Sequence, residues 1–150
     1  MKPTDIQIGD LLTFEECLND EAYPVIKVTG ILQDSFFARI DDAKGEDELD
    51  YEGVVGIPLT AEILEKNGFR WDGSGQQEMM FMTPHNDKGI RYNLYVGLKH
   101  KTINVYSTFP ELKSPNWRKH NQVDLEVCGP YVHELQHALR LCGIEKEIIV

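Results

Sequence analysis

Residues 92–106 read Tyr92-Asn93-Leu94-Tyr95-Val96-Gly97-Leu98-Lys99-His100-Lys101-Thr102-Ile103-Asn104-Val105-Tyr106. Its two flanking runs, 92–96 and 102–106, alternate with a period of two, which puts one set of side chains on each face of an extended strand. Val123-Asp124-Leu125-Glu126-Val127 repeats the pattern. Strands with one covered and one wet face belong to antiparallel sheets. Met79-Met80-Phe81-Met82 is a further apolar run, read as core or sheet-face filling rather than a metal or cofactor box. The periodicity then changes. Tyr131 to Cys142 has helical spacing, with Pro130 before it and Gly143 as its stop. Strands and helices in separate runs make the fold class α+β.

Upstream, short strands are expected at 11–14, 24–32 and 35–40, where Val, Ile, Thr and Phe dominate. Gly30 interrupts the second and predicts a bulge. Several short strands after Ile8-Gly9-Asp10 suggest a small SH3-like, half-open β-barrel over residues 1–56. The remainder, 57–150, forms an α+β part sharing one compact body with it. Residues 41–52, DDAKGEDELDYE, lack calcium-loop spacing and read as a solvated acidic loop. A helix is expected over 60–67, within IPLTAEILEKNGF at 57–69. Thr60 is placed to cap its start, and Gly68 to take the left-handed conformation beyond its end. Phe69 is placed to fold back on Ile63 or Leu64. Gly73-Ser74-Gly75 reads as a flexible turn.

The chain has 150 residues, 41% hydrophobic, with 15 basic and 25 acidic side chains and a formal net charge of −10. That suits one domain or two small subdomains, and it excludes disorder by composition. A net acidic chain has no bulk attraction for nucleic acid or anionic lipid. No apolar stretch approaches membrane-spanning length, and the first residues carry no signal-peptide h-region. Three cysteines, Cys17, Cys128 and Cys142, in no metal-binding spacing, read as reduced thiols of a cytoplasmic protein.

The C-terminal helix contains His133-Glu134-Leu135-Gln136-His137. In zinc peptidases such a pair of His, one turn apart, binds the metal from one helix face while the Glu polarises its water. At about 100° per residue, Val132, Leu135, Ala138, Leu139 and Cys142 form one apolar arc. His133 and His137 lie nearly opposite, beside Gln136 and Arg140, and are expected to face water. No third ligand has a spacing signature: Gly143 stands where one peptidase class places its third His, and Arg140 would oppose a divalent ion. His85, His120 and Asp124 are upstream ligands without signature, and Cys128 with both His lacks a fourth partner for a structural site. The helix therefore reads as an amphipathic packing element with no cofactor. A zinc hydrolase on His133, Glu134 and His137 stands as the alternative. No nucleophile elbow, P-loop or dinucleotide fingerprint is present.

Charge is unevenly spread. Residues 88–120 hold Lys88, Arg91, Lys99, Lys101, Lys113, Arg118 and Lys119 against Glu111 alone, a local +6 that leaves −16 elsewhere. Tyr92, Tyr95, Tyr106, Phe109 and Trp117 are interleaved. Lys99, Lys101, Trp117, Arg118 and Lys119 are the candidate contact residues of this stretch. A protein partner or self-association is expected ahead of nucleic acid, because the whole molecule's field opposes a polyanion unless the patch is spatially segregated.

Three stretches carry a family resemblance: Ile8-Gly9-Asp10, IPLTAEILEKNGF at 57–69 and YVHELQHALRLCGIEKEI at 131–148. They resemble small uncharacterised proteins of gut Bacteroidetes and of their phages or mobile elements. Relatives in that family often carry Gln at the position of Glu134 and Asn at that of His137 while keeping the helix. The resemblance implies a structural helix with no required zinc, and a binding or accessory role without an assigned activity, cofactor or partner.

Overall fold

The computed structural model describes residues 1–20, 22–41, 43–73, 79–100, 102–108, 122–125 and 131–150, with 106–108 and 122–125 as backbone. Among these residues the fold is mixed α+β, with two antiparallel sheets and two α-helices. The chain divides into two compact units, Met1–Pro58 with Tyr131–His133, and Leu59–Pro130 with Glu134–Val150. No helix among the described residues is long and apolar enough to cross a membrane.

The first unit holds β1 (Leu11–Phe14), β2 (Ile26–Ile31), β3 (Ser35–Ile40), β4 (Asp47–Asp50) and β5 (Val54–Gly56), in the order β4-β3-β2-β1-β5. All neighbours are antiparallel. Among the described residues no ladder joins β4 to β5, so the sheet is open. The Ile8-Gly9-Asp10 segment has a clear structural use. The Gly9 N–H donates to the Val28 carbonyl at 2.7 Å, and the Val28 N–H donates to the Asp10 carbonyl at 3.0 Å. The fully buried Asp10 carboxylate accepts from the Gln7 N–H at 2.7 Å. Buried polar groups need such partners, and here they seat the chain as it enters β1. The expected bulge falls in β2, where the register with β3 shifts between Val28 and Gly30.

Inward residues Leu12, Ile26, Val28, Phe36, Ala38 and Val54 form the core with Ile6 and Tyr51. Each large side chain among them contributes about 1.5–3 kcal/mol by burial. Tyr51 packs on Phe36 with ring centroids 5.3 Å apart, and its hydroxyl donates to the Leu32 carbonyl at 2.8 Å. One expectation fails here. The acidic stretch 41–52 is no mere solvated loop, because it supplies the edge strand β4, paired from Ser35↔Asp50 to Ala38↔Asp47. Charges suit an edge, where they discourage further pairing. They are also partly matched: the Ser35 hydroxyl donates to Glu48 at 2.5 Å, and Arg39 meets Glu46 at 3.1 Å.

In the second unit, α1 (Ala61–Lys66) has the caps the sequence predicts. The Thr60 hydroxyl accepts from the Ile63 N–H at 3.2 Å. Beyond it, Gly68 adopts φ +83° while the Gly68 and Phe69 N–H groups donate to the Glu65 and Leu64 carbonyls, each at 3.0 Å. That is a Schellman motif with its buried hydrophobic residue, Phe69, in place. The sheet β6 (Arg70–Trp71), β7 (Met79–Met82), β8 (Arg91–Gly97), β9 (Thr102–Thr108) and β10 (Gln122–Leu125) is an antiparallel meander in the order β10-β9-β8-β7-β6. Met80, Leu94, Val96, Ile103 and Val105 are buried on one face, which gives the expected alternation.

The last helix, α2, spans Val132–Leu141 rather than 131–142, and Pro130 lies outside the described residues. It also ends in a Schellman motif: Gly143 at φ +67°, with the Gly143 and Ile144 N–H groups donating to Arg140 and Leu139, each at 2.9 Å. Asn86 supplies a further partner, donating to the Cys142 carbonyl at 3.3 Å. The tail is tied down by the buried Asn67. Its amide donates to the Ile63 carbonyl at 2.8 Å and to the Ile149 carbonyl at 2.7 Å, and its Oδ1 accepts from the Ile149 N–H at 3.0 Å.

Candidate functional site

Two places carry candidate side chains, the His-Glu-x-x-His helix and the basic stretch 88–120. On α2 the apolar arc Val132, Leu135, Ala138, Leu139 and Cys142 is buried, as its spacing requires. The expectation that both His face water is corrected, because His133 is only 5% exposed and Gln136 only 7%. His137 and Glu134 are half-buried, and Arg140 is exposed.

The reason lies outside the helix. Val132 donates its N–H to the Ile57 carbonyl at 2.9 Å, and Tyr131 forms a β-bridge with Pro58. The chain entering α2 thus runs beside the end of β5, and the imidazole of His133 stacks on the Tyr131 ring, 5.7 Å between centroids and 12° between planes. A Cβ at Gly56 would stand 2.5 Å from His133 Cε1 and 2.7 Å from Tyr131 Cγ. Only glycine leaves room for this stacked pair. Gly56 and Tyr131 were missed in the sequence; the available signal was a glycine within the strand-like Val54-Val55-Gly56, which marks close approach of another group.

Among the described residues no group of three His, Cys, Asp or Glu is placed to hold a metal ion. His85 is exposed in a bridge with Arg91. His120, Cys128 and the side chain of Asp124 lie outside what is described. Cys142 is buried, and burial pushes its thiol above the ordinary range, as suits an inert packing thiol. Cys17 is half-exposed, and its thiol is also raised, by desolvation first and then by Asp20 and Glu16.

The basic stretch is better presented. Strands β8 and β9 pair without interruption from Arg91↔Thr108 to Gly97↔Thr102, so the stretch opens with a hairpin. Lys88, Arg91 and Lys99 are exposed, with Lys99 and His100 at the hairpin tip. Lys101, Trp117, Arg118 and Lys119 lie outside the described residues. Opposite the buried face, Met79, Phe81, Asn93, Tyr95 and Asn104 are all partly exposed. Phe81 and Tyr95 are direct cross-strand partners, their rings stacked at 6.0 Å and 27°.

The charge follows the units. Residues 1–58 hold 14 acidic and 4 basic side chains, which is the whole net charge of −10; the second unit is balanced at 11 of each. The basic hairpin therefore belongs to a neutral body rather than an acidic one. Comparison with family models, with curated proteins and with solved structures returns no match.

Proposed function

We propose that the protein is a non-enzymatic binding or accessory module, working in the cytoplasm and associated with phages or mobile elements of gut Bacteroidetes. It acts through the basic β8–β9 hairpin and the sheet face behind it, on a partner of negative charge. The observation that carries this reading is the separation of charge: an acid-free run from Lys88 to Pro110, with exposed cations, within a unit that is itself neutral. An acidic protein surface fits, including the first unit of a second copy, and so does a polyanion. On this reading the first unit is a half-open, SH3-like barrel. The order β4-β3-β2-β1-β5 and the bulge in β2 between Val28 and Gly30 support that assignment. The His-Glu-x-x-His helix is a structural element, supported by the seating of His133 against Tyr131 and Gly56.

The test uses heparin as a polyanion without bases. The full chain should be retained at low salt, and Arg91→Glu with Lys99→Glu should lower the eluting salt concentration. Retention unchanged by the charge reversal refutes the surface. For the helix, protein purified without chelator or affinity tag should hold no stoichiometric zinc. One zinc per chain, lost in His137→Ala, overturns the structural reading in favour of the hydrolase.

A further inference from the structure

We infer that the partly exposed face of the second unit's sheet is a stacking platform for single-stranded nucleic acid, an inference that rests on the binding role proposed above. The β8 alternation puts Arg91, Asn93 and Tyr95 on one face, opposite the buried Leu94 and Val96. Strand register then lays Arg70, Phe81, Tyr95, Asn104 and Asp124 in one row across the five strands. The stacked pair of rings lies within that row, with Asn104 next across the sheet and Asn93 next along β8. Exposed cations stand on the β6 and β8 side of this face: Arg70 at one end of the row, Arg91 along β8 and Lys99 at the hairpin tip, while the row's other end carries the acidic residue Asp124.

Each component matches one part of the ligand. Exposed aromatic faces on a sheet accept unstacked bases, amides hydrogen-bond base edges, and Arg and Lys follow the phosphates. An uncharged sugar accounts for rings and amides but leaves the acid-free cationic run without a use. A phosphorylated protein accounts for the cations but not for the paired rings. A duplex hides its base faces inside the stack, so the single strand is the form this face reads.

The experiment is fluorescence anisotropy of the full chain with labelled mixed-sequence DNA and RNA oligonucleotides, single-stranded and duplex, over a range of salt. Single strands should bind more tightly than duplex. Phe81→Leu and Tyr95→Leu should each weaken binding at least about fivefold, the lower end for losing one base–aromatic stack, while Phe81→Tyr retains it. Arg91→Glu should flatten the salt dependence. A further measurement needs no variant: ultraviolet crosslinks to the wild-type chain should map to the peptides holding Phe81 or Tyr95. The inference is overturned by any of three results. These are no binding up to about 100 µM protein at low salt, equal affinity for duplex, or crosslinks lying only elsewhere with both leucine variants binding normally. Heparin retention that still depends on Arg91 and Lys99 alongside any of these removes the nucleic acid and leaves the binding surface standing.

Discussion

Replacing Gly56 by alanine tests the packing around the buried His133. The new Cβ would lie 2.5 Å from His133 Cε1, 2.8 Å from Nδ1 and 2.7 Å from Tyr131 Cγ, all below the 3.0 Å that real Cβ contacts respect. Two ring systems must therefore shift, and neither is the free end of a flexible chain. Overpacking of this kind costs about 1–3 kcal/mol. Against it stands a gain of about 0.4–1 kcal/mol, because alanine has fewer unfolded conformations to lose. The net expectation is destabilisation by about 1–2 kcal/mol. With a urea slope of about 2 kcal/mol/M, the midpoint should fall by roughly 0.5–1 M, read by far-UV circular dichroism. The second arm is a double-mutant cycle. In a His133→Ala background the imidazole is gone and only the Tyr131 contact opposes the new methyl group. Gly56→Ala should then cost less, with a coupling of at least about 0.5 kcal/mol. Wild-type stability in Gly56→Ala, or costs that simply add in the double variant, would refute the argument.

Three further outcomes follow from the second unit. Asn67→Ala removes a donor and an acceptor from the Ile149 backbone and should cost about 2–4 kcal/mol; hydrogen exchange should show the Ile149 amide losing protection, and an unchanged exchange rate would mean the clamp does not hold the tail. Gly68→Ala and Gly143→Ala each force alanine to a φ of +83° or +67°, and thermal melts should register about 1–2 kcal/mol for each. The buried Cys142 thiol has its pKa raised above the ordinary 9.0 by desolvation, so the folded state holds the proton more tightly than the unfolded one. That contribution is complete below pH 9 and is lost as pH rises through the raised value. Cys142→Ala should accordingly flatten the alkaline fall in stability, and an identical fall in both proteins would sink the assignment.

Much of the fold was legible because it is encoded locally. Thr60, Gly68 and Gly143 act on groups within a few residues of themselves, so capping chemistry alone places both helix ends. The alternation of β8 and β9 reflects a covered face that a strand's own period of two reveals. What stayed hidden depends on partners distant in the chain. The Asp47–Asp50 strand has an intrinsic composition that disfavours extended structure, and it is a strand because β3 offers its ladder. The strands Val54–Gly56 and Arg70–Trp71 are too short to show any period and exist through β1 and β7.

The same distinction explains why the His-Glu-x-x-His motif was only half readable. A helical wheel counts the apolar side chains on the helix itself and correctly found the arc through Leu135 and Leu139. It has no means of knowing that a missing side chain elsewhere creates a second slot. Gly56 does so by having no Cβ, and Tyr131 supplies the aromatic wall, so a polar residue opposite the apolar arc is nevertheless buried. The two His of the motif consequently differ in environment, His133 buried and His137 half-exposed, although the sequence presents them as an equivalent pair. A zinc peptidase needs both imidazoles to converge on one open point. Here the first imidazole is stacked on the Tyr131 ring within the first unit. On the structural reading of the helix, Tyr131→Ala should lower stability and leave zinc affinity where it was, as read by denaturant melts and zinc titration. A rise in zinc affinity in that variant would refute the structural reading.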